Sequence, residues 1–210
     1  MPTLSAVKHS KLANILAGAP MILIWGAAVV LGMWSLVHYQ MTPAAQAMAA
    51  PTRWPGEVSI ARDAGRLSLV MTLHPQCPCS RASLHELEEL MARSTGRVDA
   101  HVLFVQPAAA PADWSHSDNW RLASAIPGVK LSIDKDGKDS AAFGASTSGQ
   151  VMVYDKAGIL RFSGGITDGR GHEGDNAGLS AILSLVRDEK SPISNTPVYG
   201  CSLGICWRAK

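Results

Sequence analysis

The stretch Arg66-Leu-Ser-Leu-Val-Met-Thr-Leu-His-Pro-Gln-Cys-Pro-Cys-Ser-Arg-Ala-Ser-Leu84 decides the fold. Its first eight residues form a short, nearly continuous apolar run, the pattern of a strand buried on both faces. His74 to Ser80 then breaks the pattern with two prolines and two cysteines. Beyond it the period changes to that of a helix. Leu84, Leu87, Leu90 and Met91 share one face, and Glu86, Glu88 and Glu89 occupy the other. Gly96 follows as the expected C′ residue.

Working outward, Val98 to Val105 reads as a second strand and Pro107 to Pro111 as a loop. Trp114 to Ile126 is expected to be helical and to stop at Pro127-Gly128. Val129 to Ile133 is a short strand and Asp139 to Gly144 a short helix. Gln150 to Tyr154 and Ile159 to Ser163 flank the turn Asp155-Lys-Ala-Gly158 as a hairpin. Asn176 to Arg187 is a final amphipathic helix, with Asp175 or Asn176 as its N-cap. The order β-α-β-α, β-hairpin, α predicts an α/β fold of thioredoxin type, with helices on both faces, over residues 57–190. A stretch of that length can bury a core. Residues 191–210 are a tail carrying Cys201 and Cys206.

Cys77 and Cys79 sit where the first strand meets its helix. Free N–H groups and the positive dipole end stabilise a thiolate there, which lowers its pKa and makes it a nucleophile at neutral pH. Pro78 suits the first helical position, where its missing N–H costs nothing. A bond between cysteines one residue apart would close a strained, easily reduced loop. Three readings follow: thiol or redox chemistry, metal binding, or a stapling disulfide. The four cysteines allow three pairings, and the sequence does not choose among them.

The turn His74-Pro-Gln-Cys-Pro-Cys-Ser-Arg-Ala-Ser-Leu84 resembles the active-site turn of thioredoxin-like proteins. Phe143 to Gly158 resembles the later hairpin of membrane-anchored thioredoxin-like reductases. With Ser163-Gly-Gly-Ile-Thr167, Gly171-His-Glu-Gly-Asp-Asn176 and Thr196-Pro-Val-Tyr-Gly-Cys201, residues 66–203 are similar to the bacterial RedB-type family. The resemblance implies a membrane-anchored thioredoxin fold with inferred thiol–disulfide oxidoreductase activity. Two departures stand out. Cys77 matches the first cysteine of the usual Cys-x-x-Cys and Ser80 the second, with Cys79 between them. Thr147-Ser148-Gly149 stands where the family pattern has a cis-proline that borders the substrate groove and discourages metal binding.

The N-terminus belongs to another environment. Leu12 to Thr52 contains no Asp, Glu, Lys or Arg, and Leu12 to Val37 is longer than the ~20 apolar residues that span a bilayer. Lys8, His9 and Lys11 precede it, and the next basic group is Arg53. Positive-inside bias therefore puts residues 1–11 in the cytoplasm, a single-pass anchor over 12–39 in the bacterial inner membrane, and the domain on the periplasmic side. Trp34 and Tyr39 suit the interface. A long cleaved signal is the alternative, with Ala45-Gln46-Ala47 as its cleavage pattern. Residues 40–56 read as an Ala/Pro-rich spacer. The net charge of +2 divides into +3 for residues 1–56 and −1 for the remainder. That near-neutral body argues against a nucleic-acid partner.

The expected catalytic set is Cys77, Cys79, His74 and Cys201. Cys77 attacks as thiolate, giving a mixed disulfide or a sulfenate, and Cys79 or Cys201 resolves it. His74 lowers the thiol pKa as imidazolium or moves the proton. The expected partners are protein thiols or disulfides, or small peroxides. No cofactor is expected. The alternative is a copper or zinc module using Cys77, Cys79 and His172, with Cys201 near them. His172 also reads as an ordinary loop residue beside the last helix. His101 is expected to be structural or solvent-facing. Trp114, Trp120 and Met152 are expected to line the core or a groove. Gly169 to Gly174 matches G-x-G-x-x-G, but the strand and acidic residue that a dinucleotide site needs do not follow it.

Overall fold

A computed structural model describes residues 4–45, 49–111, 113–189, 191 and 193–204, with side chains from residue 20 onward. The chain divides into two units, Met1–Gln40 and Met41–Lys210. The described residues of the first belong to helix α1 (Leu4–Met41). Its segment Pro20–Met41 has a mean hydropathy of 2.0 and none of it is buried. By length and composition it can cross a membrane, and a signal sequence in this position passes the same test. Gln46 and Ala47 of the possible cleavage pattern lie outside the described residues.

In the second unit the elements follow the expected order. They are β1 (Leu67–Leu73), α2 (Ser80–Ser94), β2 (Val98–Gln106), α3 (Asp118–Ala125), β3 (Val129–Lys135), α4 (Lys138–Ala142), β4 (Gln150–Tyr154), β5 (Leu160–Gly164) and α5 (Ala177–Val186). The strands form one sheet in the order β3-β2-β1-β4-β5. β1 pairs parallel with β2 and antiparallel with β4, β2 pairs parallel with β3, and β4 pairs antiparallel with β5.

β1 is central, which explains its unbroken apolar run. Leu69, Met71 and Leu73 pack with Leu84, Leu87 and Leu90 of α2 and with Leu179, Ile182 and Leu183 of α5. Val70, pointing the other way, packs in a second cluster with Phe143, Met152 and Tyr154. α2, α3 and α5 contribute to the first cluster. Coverage of the second face comes from other segments. Trp54 lies edge-on to Phe143 and Tyr154, with ring centroids 5.0 and 5.3 Å away. Ile60 and, from the C-terminal end, Leu203 complete it.

The expected spacer is therefore partly structural. Arg53 bridges to Ile159, the Trp54 amide donates to Gly158, and the Tyr154 hydroxyl donates to the Pro51 carbonyl. A bulky indole at residue 54 ties this strap to the second sheet face. Glu86 corrects another expectation. It is buried rather than solvated, and its carboxylate accepts hydrogen bonds from the Gly174 amide and the Asn176 side chain. Burial raises its pKa. The contact holds the Gly169–Gly174 loop against α2. Asn176 caps α5, accepting from the Leu179 amide at 2.7 Å. His101 is buried and bonded to Asp99, which also meets Lys130 at 2.7 Å.

α5 approaches the loop after β5 so closely that a Cβ on Gly178 would lie 2.1 Å from the Gly165 carbonyl oxygen. Gly178→Ala is expected to cost about 1–3 kcal/mol, the usual range for overpacking. Denaturant unfolding of the full chain in detergent measures it. An unchanged midpoint would show that α5 does not pack this tightly.

Candidate active site

The turn after β1 is shaped by local hydrogen bonds. The Cys77 amide donates to the His74 carbonyl and the Ser80 amide to the Cys77 carbonyl, both at 3.2 Å. Cys79 is the N-cap residue of α2, so Pro78 lies in the turn just before the helix rather than at its first position. Asn119 of α3 locks this turn from the side. Its amide nitrogen donates to the Pro75 and Cys77 carbonyls at 3.0 and 2.9 Å. Ser148, before β4, locks it from the other side. Its hydroxyl accepts from the His74 amide at 2.8 Å and shares a hydrogen bond of 2.7 Å with the Ser80 hydroxyl.

The C-terminal segment enters this frame as a strand-like edge. It is held first along β5, where the Ser163 amide donates to Ser194 and the Thr196 hydroxyl donates to the Gly165 carbonyl. It then pairs with the loop before β4. The Ser148 amide donates to the Cys201 carbonyl and the Leu203 amide to the Ser146 carbonyl, each at 2.8 Å, while Thr147 and Ser202 form an antiparallel bridge. Arg170 donates to the Gly200 carbonyl. This pairing carries Cys201 to the turn.

As a result the sulfurs of Cys77, Cys79 and Cys201 lie within 4.8 Å of one another. Cys77 is buried and the other two are half-buried thiols. The pKa of Cys77 falls to about 4, chiefly because the Cys201 thiol donates to its sulfur. Burial opposes the fall, and the Ser80 hydroxyl with the Cys201 and Ser80 amides reinforces it. Cys79 moves the other way. Burial and then the adjacent Cys77 thiolate push it up, against the nearby Arg170 guanidinium. One sulfur is thus a thiolate at neutral pH and its neighbour stays protonated, since like charges this close disfavour each other.

His74 is buried at the strand end. Its Nδ1 accepts from the Gln76 amide at 3.2 Å, and its ring meets Trp114 edge-on at 5.9 Å. Burial lowers its pKa, against the pull of the Cys77 thiolate, so it is a neutral imidazole at pH 7. The acidity of Cys77 comes chiefly from Cys201 and Ser80. His172 is exposed on the Gly-rich loop. The three-donor group among the described residues is Cys77, Cys79 and Cys201 without it. Cys206 lies outside the described residues. Trp120 packs on Phe104 and Met152 is fully buried. Sequence reasoning missed Arg170 and Asn119. An arginine in a Gly-rich loop carries a faint signal, and an asparagine in the first turn of α3 carries none. On the side of the turn facing α3, a cavity of about 450 Å³ is lined by Cys77, Pro78, Arg81, Ser117 and Asn119 among others.

A parallel βαβ half joined to an antiparallel hairpin, with a cysteine just before the helix that follows the first strand, defines a thioredoxin-like fold. No family model matches the chain, and no curated protein matches it. Among solved structures, it is similar to a hypothetical protein from Sinorhizobium meliloti 1021, with a TM-score of 0.57 at 15% identity over 81% of this chain and 100% of that one. An uncharacterized conserved protein from Geobacillus kaustophilus gives 0.57 at 17% identity, over 81% and 94%. A secreted Mycobacterium tuberculosis disulfide oxidoreductase, described as homologous to the DsbE of E. coli, gives 0.43 at 14% identity, over 59% and 82%.

Cys201→Ala removes the leading donor to the Cys77 thiolate. A hydrogen bond to a charged group contributes about 1.5–3 kcal/mol, so the thiolate titration midpoint should rise by about one to two pH units. Gly200→Ala should raise it as well, because its Cβ would meet the Ser148 carbonyl oxygen at 1.9 Å and force the segment away. Thiolate ultraviolet absorbance of the reduced protein against pH reads both. Midpoints equal to the unsubstituted chain would show that the C-terminal segment does not set the acidity.

Proposed function

We propose that this protein is a membrane-anchored thiol–disulfide oxidoreductase with Cys77 as nucleophile and Cys201 as resolving thiol. The observation that carries the reading is the meeting of the three sulfurs, with the Cys201 thiol donating to Cys77. The Cys77 thiolate attacks one sulfur of a partner disulfide, forming a mixed disulfide and releasing the other sulfur as thiolate. Cys201 loses its proton and attacks the Cys77 sulfur. The second partner sulfur leaves, and the Cys77–Cys201 disulfide that remains is returned to two thiols by an external thiol reductant. Cys201 suits the resolving role better than Cys79, because it comes from a separate segment and closes no strained three-residue ring. The proton that Cys201 gives up passes to the departing partner thiolate.

The reading keeps the RedB-type resemblance of residues 66–203. It also places the domain on the periplasmic side of a bacterial inner membrane, because the basic residues of the leader lie before the apolar helix.

The full chain in detergent should accelerate insulin reduction by a dithiol. Cys77→Ser should reduce the rate to background. Cys201→Ser should stall with the substrate sulfur bonded to Cys77, visible as an added mass on the Cys77 peptide. Retention of full activity by Cys77→Ser, or a stalled adduct on Cys79 instead, would overturn the assignment.

A further inference from the structure

We propose that Cys77, Cys79 and Cys201, when all are reduced, form a three-sulfur site for one monovalent copper ion. The geometry comes first. A metal–sulfur distance of ~2.3 Å places the sulfurs of a flat trigonal set about 4.0 Å apart. The three sulfurs already lie within 4.8 Å of one another, so closing on an ion needs movements of under about an ångström.

The frame around the sulfurs does not depend on an ion. Cys77 and Cys79 are held by the turn into α2, which Asn119 and Ser148 brace through backbone groups. Cys201 is held by the pairing of its own carbonyl and its neighbours with Ser146, Thr147 and Ser148. Three donors are therefore brought together by hydrogen bonds that involve none of their sulfurs. Such a set is preorganised, and little entropy is lost on binding.

The donor chemistry selects the ion. Thiolate sulfur is soft and favours monovalent copper, zinc or iron–sulfur clusters. Structural zinc takes four ligands in a tetrahedron, and iron–sulfur clusters are held by four cysteines. Among the described residues the group has three members, and His172 is not one of them. Three sulfurs suit an ion that accepts three-coordination. Arg170 beside Cys79 and the positive dipole end of α2 offset the negative charge of the thiolate set.

This site shares its sulfurs with the proposed exchange chemistry but does not require it. A disulfide between any two of them removes two of three donors, so the metal-bound and oxidised states exclude each other.

The test uses the reduced full chain in detergent, titrated without oxygen with monovalent copper against a chromophoric copper(I) chelator. One ion per chain and a three-sulfur X-ray absorption signature are expected. Loss of a neighbour to a ligand typically weakens binding 10–100-fold, so loss of a ligand in Cys79→Ser or Cys201→Ser should weaken it by about 100-fold or more. Two variants on different segments guard against misfolding of either. Cys206→Ser should leave affinity unchanged. Less than half an ion per chain, affinity in Cys79→Ser or Cys201→Ser equal to that of the unsubstituted chain, a fourth sulfur lost with Cys206, or displacement of copper by equimolar zinc would each overturn the proposal. Insulin reduction on the same sample separates the two readings. Copper uptake without reduction refutes only the exchange reading, and reduction without uptake refutes only this one.

Discussion

The loop before β4 presents backbone N–H and C=O groups at the end of the sheet, beside the turn that holds Cys77. Buried backbone groups must be paired. Here the C-terminal segment supplies the partners, with Ser148 donating to Cys201 and Leu203 to Ser146. The rest of the site depends on that pairing. It fixes the position of Cys201, supplies the leading donor to the Cys77 sulfur, and buries Val198 and Leu203. The glycine at residue 200 is part of the same constraint, because the Ser148 carbonyl occupies the space where a Cβ would stand. One short stretch of edge pairing thus links stability to reactivity.

The sheet explains why the segment arrives from that direction. α2, α3 and α5 supply the first apolar cluster, while a single short helix, α4, lies by the second. The strap around Trp54 and the segment carrying Leu203 fill the vacancy. Their packing follows from shortage of cover: Val70, Met152 and Tyr154 need apolar neighbours, and residues on both flanks of the domain provide them. The ends of the domain are consequently structural parts of it.

Much of this was legible in the sequence, for identifiable reasons. The alternation between strand and helix periods located the elements in order, although α3 begins at Asp118, after its Ser117 cap, rather than at Trp114, and the unbroken run at Leu69 to Leu73 marked the central strand. Cys77 was legible because its place at a strand–helix junction has direct physical meaning. Glu86 was misread as solvated, since a helical wheel cannot reveal a loop that folds over a polar position and donates to it. The strap was misread because low complexity suggests a spacer, and the indole at residue 54 is a single residue against that signal. Asn119 acts through backbone carbonyls distant in sequence, a relation that no local pattern encodes. His74 was placed correctly at the turn, but its charge state depends on burial, which only the fold reveals.

The three sulfurs differ in role because the site stabilises only one negative charge well. Cys77 collects a thiol, a hydroxyl and two amide donors, enough to overcome its burial. Those same donors are then unavailable to Cys79, which also lies against the charge they stabilise. Cys201 must keep its proton to act as donor, so its hydrogen bond and its nucleophilicity are alternatives. In the proposed exchange, the proton that holds Cys77 as thiolate is the one Cys201 surrenders in order to attack. Once Cys77 is bonded to a second sulfur it carries no charge, and the demand on that proton ends. In the proposed exchange the order of events follows from the hydrogen bond: Cys201 is restrained while Cys77 is a thiolate and released when Cys77 has reacted.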